Sequence, residues 1–204
     1  MIPGLLLWSA LLIAQLPERP EPPQTTAEVE QRLEAVRKAP TNPRARLELG
    51  KAYAEAEEYD LAMSELVESI HLNPDNNENL TAEANFHLGM VLTALERTGL
   101  ATRAYREALR LGLNEAPVHM ALGEALAAER QYEEAIAEYR AALNLSPDSF
   151  VAHAGIALAL EASGKLDDAL TEYETALQLA PPEDDHTVAA LKQRLMTLKE
   201  RRKL

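Results

Sequence analysis

The residue types able to do chemistry are few in this chain, and their spacing argues against an active site. Cysteine is absent from the 204 residues, so no disulfide, thiolate metal site or cysteine nucleophile can form. Two histidines thirty-four residues apart, His119 and His153, suggest a metal pair. Equivalent helices in a stack lie about 10 Å apart, however, too far for two imidazoles to share an ion, and no other His or Cys stands at ligand spacing. Both read as packing residues. The acidic pairs Glu57-Glu58, Glu133-Glu134 and Asp167-Asp168 recur at the start of a helix, where carboxylates complement the positive end of the dipole. A paired-acid hydrolase needs two carboxylates facing each other across a cleft, and nothing selects two of the 33 acidic residues for that task. The chain therefore reads as a non-enzyme that uses no cofactor and no metal.

The same residues make sense as parts of a repeat. In residues 116–149 the small or apolar set His119, Leu122, Gly123, Leu126, Ala135, Tyr139, Ala142 and Pro147 occupies repeat positions 4, 7, 8, 11, 20, 24, 27 and 32. Leu122, Gly123 and Leu126 share one helical face and Ala135, Tyr139 and Ala142 another, with the polar Glu129-Arg130-Gln131 between them, so each copy predicts two helices and a turn. Thirty-four residues on, the set returns as His153, Ile156, Ala157, Leu160, Ala169, Tyr173, Ala176 and Pro181. Earlier copies hold Asn85, Leu88, Gly89, Leu92, Ala101, Tyr105 and Ala108, and before them Arg46, Leu49, Gly50, Tyr53, Ala62, Leu66, Ser69 and Pro74.

The spacing has a physical reading. Gly50, Gly89 and Gly123 leave room for the second helix to cross closely, and Ala62, Ala101, Ala135 and Ala169 are the small residues expected to meet them. Pro74, Pro147 and Pro181 end one hairpin and start the turn to the next. Between the first two copies five residues, 77–81, are inserted. Asn77, Asn79 or Thr81 could each cap the following helix, so the insert could lengthen that helix instead of looping out. Gly112 replaces the proline as helix stop after the second copy, and Pro117 falls in the first turn of the next helix.

This pattern resembles the tetratricopeptide repeat, whose unit is a thirty-four-residue helix hairpin. The resemblance implies an all-α chain, a right-handed superhelical solenoid of helix hairpins. Its units are an N-terminal capping half-repeat at 27–40, repeats at 43–76, 82–115, 116–149 and 150–183, and a C-terminal capping helix at 184–204 with the stripe Val188, Leu191, Leu195 and Leu198. That last stretch carries six basic and three acidic residues beside an acidic array.

The resemblance also implies protein binding along the concave face of the first helices. Carried onto this chain, the partner-binding groove is Leu47, Lys51, Phe86, Met90, Met120, Glu124, Ala154 and Leu158, apolar at its middle. The family branch that clamps a terminal carboxylate uses Lys and Asn where this chain has Leu47 and Lys51, and is excluded. The expected partner is another protein, offering an apolar or amphipathic segment. The alternative is a spacer or self-assembling element whose groove is filled by its own termini or a second copy. A formal charge of −13 excludes a nucleic-acid backbone as partner.

Residues 1–16 are almost wholly apolar, too short to span a bilayer as a free helix and of signal-peptide length, and the proline-rich linker 17–26 follows. The expectation is a signal peptide or signal anchor, placing the chain outside the cytoplasm or tethered by its N-terminus.

Overall fold

Helix starts and stops recur at the repeat spacing. The computed structural model describes residues 24–73, 77–181 and 185–201, and among them every regular element is a helix. In chain order they are α1 (Gln24–Lys38), α2 (Pro43–Glu55), α3 (Tyr59–His71), α4 (Glu78–Ala94), α5 (Thr98–Arg110), α6 (Ala116–Ala128), α7 (Tyr132–Leu145), α8 (Phe150–Ala162), α9 (Leu166–Leu179) and α10 (Asp185–Arg201). Residues 1–23, which hold the apolar run and most of the linker, lie outside the described residues, as do residues 74–76 with Pro74, residues 182–184 and the final three.

Each hairpin is closed by one device. The residue at repeat position 15 adopts a left-handed backbone, with φ of 60° at Glu57, 58° at Glu96, 61° at Arg130 and 82° at Gly164. The next amide then reaches five residues back, Glu58 to Tyr53 O, Arg97 to Leu92 O, Gln131 to Leu126 O and Lys165 to Leu160 O, at 2.8 to 2.9 Å. These bonds satisfy carbonyls that a helix end leaves open. Gly112 (φ 95°) repeats the device at the end of α5, with Leu113 N bonded to Ala108 O. Two first-helix starts are capped by side chains: Asn42 accepts from the Arg44 and Ala45 amides, Ser149 from that of Ala152. Of the three capping candidates in the insert, Asn77 is the cap, accepting from Leu80 N at 3.2 Å. The insert adds a turn to α4.

Consecutive helices pack on one another along the chain, and first helices also touch first helices of the next hairpin. Ala62, Ala101, Ala135 and Ala169 are fully buried. At Gly50 the Ala62 carbonyl lies 3.3 Å from a built Cβ, but at Gly89 and Gly123 the alanines are not what the glycines face. A Cβ added at Gly89 would run into the Tyr105 ring, and one at Gly123 would lie 2.8 Å from the Tyr139 ring and at Gly50 2.7 Å from Leu66 Cγ, so the glycines admit the position-24 side chain. Gly155 receives Tyr139 of the preceding hairpin, 2.7 Å from a built Cβ to Cζ. One ring thus lies between two glycine backbones.

The ends are covered. Val36 of α1 is buried on α2, and in α10 Leu191 and Leu198 are buried while Leu195 packs on the main core. Lys199 pairs with Glu174 at 2.6 Å and Arg194 with Glu161 at 3.3 Å, so the basic helix meets the acidic array through named contacts.

Candidate functional site

The concave wall is built from α2, α4, α6 and α8, and repeat position 9 lies along it: half-buried Lys51, then exposed Met90, Glu124 and Leu158. Met90 is 47% exposed and Leu158 40%, large apolar side chains held open on a rigid helical face. Glu124 is exposed between them. Position 5 is different. Leu47 is fully buried and Ala154 is 7% exposed, so neither can touch a partner. Leu47 belongs to the buried cluster that includes Leu80 and Ala84, and Leu80 lies on the turn that the insert adds to α4. Position 5 faces the neighbouring first helix, and in the first hairpin the longer α4 completes its burial.

Phe86 and Met120, also at position 5, are partly buried and packed against the main core. The Phe86 ring centroid lies 6.1 Å from that of Tyr105 and 5.4 Å from that of His87. Phe86 is as much a packing residue as a groove residue. A recess of about 290 Å³ between α2 and α4 is lined by Lys51, Ala54, Glu55, Tyr59, His87, Met90, Val91 and Ala94. His87 drew no attention in the sequence because position 6 carries no repeat signature. Burial and then the Lys51 charge lower its pKa, which keeps the ring neutral at pH 7.

Charges at the two ends of the wall are already paired. Lys51 bonds Glu83 at 3.2 Å and lies 3.5 Å from Glu48, while Arg44 bonds Glu83 at 2.7 Å. Burial alone would raise the Glu83 pKa, but hydrogen bonds and charge from Lys51 and Arg44 hold it below the usual carboxylate value. At the far end Glu161 accepts from the Tyr173 hydroxyl at 2.6 Å and meets Arg194 at 3.3 Å. Glu124 in the centre makes no ion pair or hydrogen bond among the described residues, and desolvation by the surrounding wall raises its pKa although the side chain opens to the groove.

The two histidines are not packing residues in the apolar sense. His119 Nδ1 lies 2.7 Å from Glu138 Oε2, and its Nε2 is 2.8 Å from Asn114 Oδ1. His153 Nδ1 lies 2.7 Å from Glu172 Oε2. Arg46 pairs with Glu65 at the same register at 2.7 Å. Three hairpins are thus stitched by a polar pair between positions 4 and 23. No cluster of three His, Asp or Glu among the described residues could hold a metal ion.

The second hairpin lacks that stitch. Its position 23 is Ala104, and Asn85 bonds back to Thr81 O at 2.8 Å. An apolar hollow of about 500 Å³ opens there on the convex side, with Met63, Val67, Leu88, Leu92 and Leu100 on its walls. Leu100 is 48% exposed and Val67 38%. The signal was legible: Leu61 and Leu100 hold position 19, where the later copies have Glu134 and Asp168.

Comparison with known proteins matches this geometry. Models of the tetratricopeptide repeat cover residues 23–114 and 151–183, and a TPR repeat model covers residues 123–164, together well over half of the chain. The chain belongs to the tetratricopeptide repeat family. Among solved structures it is similar to MamA, at 23% identity over 76% of this chain and 82% of that one, with a TM-score of 0.68. MamA residues 41 to the end from Desulfovibrio magneticus RS-1 align at 19% identity over 79% and 88%, with a TM-score of 0.70. YrrB, described as a TPR protein with an unusual peptide-binding site, aligns at 20% identity over 93% and 88%, with a TM-score of 0.69. At these identities the likeness concerns the fold. No curated protein matches the sequence. The array is a tetratricopeptide solenoid, a scaffold for contacts between proteins.

Proposed function

We propose that this scaffold is an adaptor whose concave face takes an apolar or amphipathic segment of another protein. The observation that carries the reading is the position-9 row: Met90 and Leu158 stay 47% and 40% exposed on helices otherwise packed tightly, with half-buried Met120 between them. Isolated exposed apolar residues need no explanation, but two at the same register of one concave wall, with Met120 between them at position 5, support a contact surface. Methionine suits adaptable recognition of apolar segments. That YrrB, of the same fold, is described as having a peptide-binding site is consistent with this use. The apolar run at 1–16 supports export, or tethering at a membrane, as the setting in which the adaptor works.

The test is calorimetric titration of the full chain with an amphipathic peptide of Leu, Ala and Gln. The Met90→Asp, Leu158→Asp double variant should lose binding and keep its unfolding midpoint, because neither side chain belongs to the buried core. Unchanged binding by that variant refutes the concave face as the site. A variant that instead changes the oligomeric state shows the wall to be filled by a second copy.

A further inference from the structure

Position 24 carries a tyrosine in three hairpins, and each ring enters between helices toward the concave wall. In two of them the hydroxyl is met at position 12: Tyr105 lies 3.1 Å from Thr93 Oγ1, and Tyr173 donates to Glu161 at 2.6 Å. In the third hairpin position 12 is Ala127, which offers no side-chain partner. Tyr139 is 3% exposed and makes no hydrogen bond among the described residues. Its oxygen still touches solvent, because no fully buried side-chain oxygen among those residues lacks a partner. The Gly123 and Gly155 backbones on either side of the ring fix where the hydroxyl emerges. Glu124 directly follows Gly123, whose built Cβ would lie 3.1 Å from Cζ of Tyr139, and its charge, after burial, further raises the Tyr139 pKa.

Glu124 is the unanswered acid of the position-9 row and its neighbours. Glu83 has Lys51 and Arg44, and Glu161 has Tyr173 and Arg194, whereas no cation faces Glu124 from α5, α6, α7 or α8. Met120, Ala127 and Leu158 around it supply apolar surface but no donor. A partly desolvated carboxylate without a partner lowers the stability of the free protein, and a second unpaired polar group beside it points to a ligand with complementary charge.

We propose that Glu124 and the Tyr139 hydroxyl form a cation-binding notch in the middle of the concave face, which takes the ammonium or guanidinium of a Lys or Arg in an otherwise apolar partner segment. The carboxylate accepts from the cation, the phenol oxygen accepts a second hydrogen bond, and Met120 and Leu158 cover the aliphatic stem. The inference rests on the concave-face reading above and adds partner chemistry to it. The acidic surface of the whole chain, formally −13, favours approach of such a segment.

Two peptides of Leu, Ala and Gln, one with a central Lys and one with norleucine there, separate the two levels. With the full chain the Lys peptide should bind about tenfold more tightly or better, the worth of one charge-assisted hydrogen bond. Glu124→Gln should erase that preference while raising the unfolding midpoint at pH 7, an effect that a structural carboxylate would not give. Tyr139→Phe keeps the ring between the glycines and should reduce the preference in part. Equal binding of the two peptides, or a preference that survives Glu124→Gln, overturns the notch and leaves apolar capture by the wall standing. Failure of both peptides to bind overturns the concave-face reading and the notch with it.

Discussion

Gly155→Ala puts the inter-hairpin contact to a quantitative test. In a helix interior alanine is favoured over glycine by about 1 kcal/mol, so propensity alone predicts a more stable protein. The new Cβ, however, would stand 2.7, 2.8 and 2.9 Å from Cζ, Cε1 and Cε2 of Tyr139. The ring cannot retreat, because a Cβ at Gly123 on its other side would lie 2.8 Å from Cε1. Overpacking of this kind costs about 1–3 kcal/mol, which turns the propensity gain into a net loss of about 1 kcal/mol. In a Tyr139→Leu background the obstacle is gone, and the same substitution should stabilise by about 1 kcal/mol. The double-mutant cycle therefore predicts a coupling of about 2 kcal/mol, read from urea unfolding followed by circular dichroism with equal slopes. Equal stabilisation by Gly155→Ala in both backgrounds would refute the two-sided enclosure of Tyr139.

The Glu83 network predicts an acid-sensitive first interface. Its folded-state pKa is depressed, so its contribution is present above the unfolded carboxylate value and lost as pH falls through the folded one; the stability gap between wild type and Glu83→Gln should be open at pH 7 and close below about pH 4, by thermal unfolding across pH. Arg130 holds a left-handed backbone that the fourth hairpin gives to Gly164, so Arg130→Gly should stabilise by up to about 1 kcal/mol in urea unfolding, and a loss would show the strain argument to be wrong. Asn77→Ala removes the cap of α4 and should cost about 1 kcal/mol, with amides at the start of α4 exchanging faster; unchanged exchange there would mean that the cap is idle.

Much of the fold was legible because its signals are local. Helix period, the prolines after α7 and α9, Gly112 at the end of α5 and the apolar stripe of α10 each constrain only a few neighbouring residues, and all fall where the spacing puts them. What escaped depends on contacts between helices, within and between hairpins. The register aligned Gly123 with Ala135, but only the crossing of the helices shows that the gap admits Tyr139, and that Gly155 closes over the same ring. Leu47 and Ala154 share the register of Phe86 and Met120, and their different burial follows from what the adjacent first helix sets against them. A Phe86→Asp substitution is for this reason a poor probe of the groove, since it would strike packing against Tyr105 as well. Tyr139 and Glu124 became a pair only when the partners of the equivalent tyrosines were known.

The methionines allow the central claim to be tested without altering the protein. Met90 and Met120 lie on the concave wall, Met63 lines the convex hollow, and Met196 is 60% exposed on α10. Methyl-labelled methionine spectra recorded while the Lys-containing Leu, Ala and Gln peptide is added should show shifts at Met90 and Met120, with Met63 and Met196 in place. Shifts at Met63 with Met90 and Met120 unmoved would contradict the account and place recognition on the convex side.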